Sequence, residues 1–178
     1  AFPARPGLVH AKVANGTADA SEGPAMSAAQ CQRALRSGAR VLHDLPGNVV
    51  LLGEMGIGNT SSAALLVARL LRADVERCTG RGTGLDDAGL ARKVEVLRSV
   101  LRHHAAATEP LDALAAFGGF EIAMLVGAAL QAASERRVIV VDGFIVGAAL
   151  LVAARLSPAV LDCCVFAHRS HEAGHTLL

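Results

Sequence analysis

Glu54 is the single carboxylate in a glycine-rich run, Gly53-Glu54-Met55-Gly56-Ile57-Gly58-Asn59-Thr60-Ser61-Ser62. Three glycines within six residues let backbone N–H groups converge on one point, and Asn59, Thr60 and Ser61 then open an alanine- and leucine-rich helical segment. A helix start preceded by such a turn suits a phosphate or another anion, because its first amides lack intrahelical acceptors and the helix dipole is positive there. A carboxylate in the same loop suits a base, or a group that stabilises a developing cation. Gly53-x-x-x-x-Gly58-Asn59-Thr60 differs from a P-loop by Asn59 in place of lysine, and Glu54 would repel a triphosphate, which argues against a nucleoside triphosphatase. Gly56-x-Gly58-x-x-Ser61 lacks the third glycine of the dinucleotide fingerprint.

Other residues of the right type sit near two further turns. Thr79-Gly80-Arg81-Gly82-Thr83-Gly84 is a second glycine-rich turn, and Lys93, one of only two lysines, projects from the helix that follows it. A solvated helix face is the ordinary role for a lysine, and a phosphate contact competes with it here. Asp142-Gly143 ends a β-branched run, and His168-Arg169-Ser170 follows the last apolar strand. His171 and His175 have i, i+4 spacing, but Gly174 weakens any helix between them and no carboxylate completes a familiar zinc motif, so no metal is expected. No Ser–His–Asp or Cys–His set can be assembled from spacing.

The elements that must position these residues follow from periodicity. Residues 1–24 read as an extended lead-in. Ser27 caps a helix from Ala28 to about Leu45, and Pro46-Gly47 stops it before a strand, Val49–Leu52. A second helix runs from about Ser61 to Ala73. Asp86 and Asp87 start a third, with Leu90, Val94, Leu97 and Leu101 on its stripe. A short helix follows Glu109-Pro110, then largely apolar helices over 120–133 and 145–156, with a strand at Val138–Val141 between them. A last strand is expected over Val160–Ala167. The continuous β-branched run 138–141 suits a parallel strand covered on both faces. Strands alternating with helices predict one domain over 1–178: a three-layer, open, doubly wound, Rossmann-like α/β fold with a mostly parallel sheet and helices on both faces. In such folds ligands bind beyond the carboxyl ends of the strands, where Glu54 to Asn59, Asp142-Gly143 and His168-Arg169-Ser170 all fall.

Composition narrows the partners. Apolar residues make up 52% of the 178 positions and aromatics 3%, with no Trp or Tyr. Closely packed small side chains must therefore build the core. A formal charge of +1, no basic block and no Trp or Tyr stacking platform set nucleic acid aside. Mean hydropathy is +0.42, yet the uncharged stretches 122–134 and 143–154 fall short of the roughly 20 residues a spanning helix needs, so no membrane is expected. Cys31, Cys78, Cys163 and Cys164 lack C-x-x-C spacing and read as free thiols of a cytoplasmic protein.

Gly53-Glu-Met-Gly-Ile-Gly-Asn-Thr60 resembles the signature of the nicotinate-nucleotide–dimethylbenzimidazole phosphoribosyltransferases. Pro24-Ala25-Met26, the 80–86 turn, Ala91-Arg92-Lys93-Val94, Gly118-Gly119-Phe120-Glu121-Ile122, Val141-Asp142-Gly143-Phe144-Ile145 and His168-Arg169-Ser170 resemble further blocks in family order. The resemblance implies transfer of phosphoribose from nicotinate mononucleotide to 5,6-dimethylbenzimidazole, giving α-ribazole 5'-phosphate for the lower ligand of cobalamin, without a cofactor and in a homodimer. It implies that Gly56, Ile57, Gly58 and Asn59 line the nucleotide site, and that Gly80, Arg81, Gly82 and Lys93 approach the phosphate. Glu54 and Met55 would face the reacting rings, with Asp142, Gly143 and Ser170 completing the substrate site. It also implies that the chain corresponds to the central part of the family's enzymes, whose general-base glutamate lies in a segment beyond position 178 and whose N-terminal region helps form the base pocket. A truncated, non-catalytic nucleotide-binding core is the alternative expectation.

Overall fold

The computed structural model describes Pro3, residues 5–170 and residues 172–178. Helix α1 (Ala28–His43) begins with a capping box: Ser27 Oγ accepts from the Gln30 amide at 3.2 Å, and Gln30 Oε1 accepts from the Ser27 amide at 2.9 Å. Strand β1 (Val49–Leu52) follows, then α2 (Asn59–Leu71), the four-residue α3 (Val75–Cys78) and α4 (Asp87–His103). Asp86 Oδ1 caps α4 by accepting from the Gly89 amide at 2.7 Å, as its place in the sequence predicts. Helices α5 (Pro110–Phe117) and α6 (Phe120–Ser134), strand β2 (Val138–Val141), α7 (Gly143–Leu156) and β3 (Cys164–Phe166) complete the order.

The strands pair in parallel in the order β1-β2-β3, with Leu52 opposite Val141 and Val141 opposite Phe166. Parallel strands with helical crossovers are the expected α/β architecture. Ile139 and Val141 are fully buried on one face. The alternate residues Val49, Leu51, Val138 and Val165 remain exposed in the described chain, Leu51 by 75%.

Several boundaries differ from the sequence reading. The expected strand over 160–167 is split. Pro158–Cys163 forms a 3₁₀ turn, opened by proline and anchored by fully buried Val160, and pairing begins only at Cys164. Helix α2 starts two residues early because Gly58, at φ +85°, turns the chain directly into it. Helix α7 starts at Gly143 (φ +74°), immediately after Asp142. The short α3 carries too few residues for a periodic signal.

Small residues set the helix spacing. A Cβ on Gly38 of α1 would lie 1.9 Å from the Met124 carbonyl oxygen, and one on Gly127 of α6 would lie 1.9 Å from the Leu35 carbonyl oxygen. The two backbones therefore cross in contact. At the pole opposite the strand ends, Arg69 donates to the carbonyls of Leu101 (2.7 Å), His104 (3.1 Å) and Ala105 (3.2 Å), and Arg155 donates to Leu70 O at 2.7 Å. These guanidiniums satisfy the last carbonyls of α4 and α2, which anchors the helices whose other ends carry the site. Among the described residues no helix is long and apolar enough to cross a membrane. Cys31 and Cys78 are buried free thiols, pushed up to about 11 by desolvation.

The glycine crossing yields a first test. Gly38→Ala and Gly127→Ala each force α1 and α6 apart, and each is expected to cost roughly 1–3 kcal/mol in urea unfolding. Gly16→Ala, where a Cβ meets nothing within 4 Å, is the neutral control.

Candidate functional site

The loop between β1 and α2 is folded around one hydrogen bond. Asn59 Nδ2 donates to Glu54 Oε2 at 2.5 Å, and Asn59 is buried while Glu54 is half-buried. Gly56 must lack a side chain, since a Cβ there would lie 2.5 Å from Asn59 Nδ2 and 3.4 Å from Glu54 Oε2. With its side chain engaged by Glu54, Asn59 does not cap α2. The N-cap is Gly58, and no side chain bonds the first turn, which leaves the leading amides of α2 without a side-chain acceptor. Met55 and Ile57 point outward, 91% and 84% exposed.

The second glycine turn is tied to the start of α2 by Lys93. Its ammonium donates to Thr60 Oγ1 at 3.1 Å and to Gly80 O at 3.0 Å. Burial pushes Lys93 below its ordinary value, and the nearby charge of Glu172 opposes that shift. Gly82 (φ +56°) runs close beneath: a Cβ there would lie 3.2 Å from Thr60 Oγ1 and 3.8 Å from Lys93 Nζ. Arg81 faces its own loop, donating to Leu85 O at 2.8 Å and pairing with Asp87. That pair is exposed and has modest strength.

A third wall comes from the end of β3. Ser170 is held by His175, whose Nδ1 accepts from the Ser170 amide at 2.9 Å and lies 2.9 Å from Ser170 Oγ. Because that amide can only donate, neutral His175 carries its proton on Nε2. Glu172 stands at the N-cap of a 3₁₀ turn, Ala173–Thr176, without bonding it through its side chain. Asp142 is an exposed carboxylate, and His168 Nδ1 is 3.5 Å from its Oδ1. It stands beside Gly53, where a Cβ would lie 3.7 Å from Asp142 Oδ2.

These walls enclose a cleft of about 560 Å³ lined by Glu54 to Ser61, Arg81, Gly82, Lys93, Ile145 and Glu172. It adjoins a second cleft of about 610 Å³, where Gly80, Ser170 and Glu172 meet. The expected residues Glu54 to Asn59, Arg81, Gly82 and Lys93 thus share one space, and Gly80 and Ser170 line its extension. Asp142 and Gly143 line neither and stand at the neighbouring strand end. Thr60 and Glu172 are the residues that spacing did not single out as site residues, and His175, weighed by spacing only for a metal, instead holds Ser170. Thr60 lies inside the glycine signature, but its lysine partner is 33 positions away. Among the described residues no group of three or more His, Cys, Asp and Glu side chains is placed to hold a metal; His171, half of the i, i+4 histidine pair, lies outside the described residues. An uncapped helix start, an ammonium and a carboxylate in one cleft can hold an anion at one end and act on a cationic centre at the other.

His175 makes the third wall pH-sensitive. Desolvation, then the charges of His168 and Arg169, lower its pKa below the ordinary 6.5. The unfolded chain then takes up this proton first, so the stability His175 contributes is complete above about pH 6.5 and falls as pH drops through that value. Urea unfolding midpoints between pH 7.5 and 5.0 are expected to fall with pH, and a His175→Gln variant to show a shallower slope.

The whole chain, residues 1–178, matches a family model described as "Phosphoribosyltransferase". It is 68% identical over 177 residues to the nicotinate-nucleotide–dimethylbenzimidazole phosphoribosyltransferase of Variovorax paradoxus (strain S110), covering 99% of this chain and 51% of that protein. To the enzyme of the same name from Cupriavidus taiwanensis it is 59% identical, over 99% of this chain and 52% of that protein. The crystal structure of CobT from Thermus thermophilus superposes with a TM-score of 0.94 at 36% identity, over 99% of this chain and 54% of that one. The chain spans about half the length of the curated relatives it matches. By its sequence over all 178 positions and by its parallel α/β fold, the chain belongs to this phosphoribosyltransferase family.

Proposed function

We propose that the chain forms the nucleotide-holding core of an enzyme that transfers phosphoribose from nicotinate mononucleotide to 5,6-dimethylbenzimidazole, giving α-ribazole 5'-phosphate and nicotinate. The observation that carries this reading is the meeting of Lys93, the uncapped start of α2 and Glu54 in one cleft. The relatives bear the name of this reaction. The bond from C1' to the pyridinium nitrogen breaks with its electron pair going to nicotinate. A benzimidazole nitrogen attacks C1' from the opposite face, which inverts the carbon from β to α, and the second ring nitrogen gives up its proton.

The phosphate is held by Lys93, the α2 amides and the glycine backbone at 80 and 82. Gly56, Ile57, Gly58 and Asn59 line the nucleotide. Arg81 shapes the turn and reaches a phosphate only if it releases Asp87. Glu54, aimed by Asn59, faces the reacting rings with Met55 and stabilises the cationic sugar carbon. It is also the candidate base for the proton that the benzimidazole ring gives up. Asp142, Gly143 and Ser170 form the outer rim. We place the single α/β domain in the cytoplasm, a reading supported by its free thiols, and read the working enzyme as a homodimer with its exposed apolar sheet residues near an interface. A second reading, a core that binds nucleotide without turnover, is favoured by the half-length match to the relatives.

Calorimetric titration with nicotinate mononucleotide and an assay for nicotinate release in the presence of dimethylbenzimidazole separate these readings. Binding is expected in both, and release only in the first; absence of binding removes both. Lys93→Met is expected to weaken nucleotide binding about 10-fold or more, the effect of losing a charged hydrogen bond. Glu54→Gln is expected to leave binding within a few-fold and to cut any turnover by at least about 100-fold. Unchanged turnover would take Glu54 off the list of catalytic residues.

A further inference from the structure

Glu172 is a carboxylate with no structural task that the described residues reveal. Its position at the N-cap of the 173–176 turn invites a capping bond, and its side chain makes none. Its backbone amide is tied to Ser170 Oγ at 3.4 Å, which holds the residue in place through the Ser170–His175 contact. Its Oε2 is buried and accepts no hydrogen bond among the described residues. Burying an unpartnered carboxylate oxygen is costly, so a position that keeps one invites a ligand donor. Gly80 makes room for it: a Cβ on Gly80 would lie 2.0 Å from Glu172 Oε2. Only glycine leaves the carboxylate its place.

Lys93 approaches the same glycine from its carbonyl, and the charge of Glu172 is felt at its ammonium, yet Lys93 bonds Thr60 and Gly80 instead. One cleft therefore presents an ammonium and a carboxylate that do not neutralise each other by contact. A simple anion satisfies the first and is repelled by the second. A ligand that satisfies both carries an anionic group and, a few bonds away, hydroxyl donors. A sugar phosphate has that pattern.

We propose that Glu172 accepts hydrogen bonds from the ribose hydroxyls of the bound nucleotide, so that this carboxylate, rather than the phosphate contacts, selects a ribosyl phosphate. The assignment rests on the reading of the cleft as a nucleotide site. Ligand entry needs only a side-chain rotation, since Glu172 already lines both adjoining clefts and is half-buried as a whole. Hydroxyl donors then replace the contact with Gly80, and the buried oxygen gains the partner it lacks.

The test is calorimetry on the 178-residue chain with three ligands: nicotinate mononucleotide, its 2',3'-dideoxy analogue and inorganic phosphate. The unsubstituted chain is expected to prefer the mononucleotide over the dideoxy analogue by about 10-fold or more, the scale of charged hydrogen bonds. Glu172→Gln is expected to close most of that gap while inorganic phosphate binds as well as before or more tightly, because a repelling charge is gone. A gap that survives Glu172→Gln, or no gap in the unsubstituted chain, overturns the assignment while leaving the nucleotide site standing. Equal weakening of all three ligands by Glu172→Gln reduces Glu172 to a structural residue and also overturns it. An unsubstituted chain that binds none of the three removes the nucleotide site and this assignment together.

Discussion

The two hydrogen bonds of the Lys93 ammonium hold the site together. One reaches Thr60 at the start of α2, the other the Gly80 carbonyl in the second glycine turn. Three segments separated by up to 33 positions thereby share one cation. A lysine drawn partly out of water loses solvation, and two oxygen acceptors with Glu172 nearby recover only part of it. An ammonium held in this condition gains from any further anion that reaches it. The structural tie and the proposed ligand contact draw on the same unmet demand.

Glycines give that arrangement its dimensions. At Gly56, Gly80 and Gly82 a Cβ would occupy space held by Asn59, Glu172 and Thr60 respectively. The two glycine turns are therefore not merely flexible connections, because each lets a polar side chain from elsewhere lie against the backbone. The same device recurs in the scaffold, where Gly38 and Gly127 bring α1 and α6 into backbone contact. A chain with 3% aromatic residues has few bulky rings for its core, and close approach supplies the packing that large side chains would provide elsewhere. At the far pole Arg69 of α2 binds the Leu101 carbonyl of α4 and Arg155 of α7 binds the Leu70 carbonyl of α2, which holds α4 and α7 against α2 so that Thr60 and Lys93 meet.

Much of this is legible in the chain itself. The Ser27 capping box, the Asp86 cap, the two strands at 49–52 and 138–141, and the helices at 110–117 and 120–134 follow from local capping chemistry and periodicity, which act over a few residues. The glycine-rich loop reads as a candidate anion site because strand, turn and helix start are consecutive. The end of the chain is less legible. The 3₁₀ turn at 158–163 replaces the first half of an apparent strand because burial of Val160 favours the turn over pairing. Spacing suggests a cleft carboxylate at Asp142, whereas its exposure depends on how α7 leaves β2.

Fold class and family are written in contiguous residues, so the linear chain settles both, and the loop proposed to face a ligand is legible there as well. Which distant side chains complete the site is decided in three dimensions. Lys93 on Thr60, Glu172 against Gly80, Asn59 turned back on Glu54, and His175 behind Ser170 are pairings set by helix and strand placement. Hydrogen bonds of about 3 Å are too short-ranged for spacing in sequence to reveal them. Folding also turns Arg81, an expected phosphate contact, toward Asp87, and leaves Glu172 with an oxygen that no described residue satisfies.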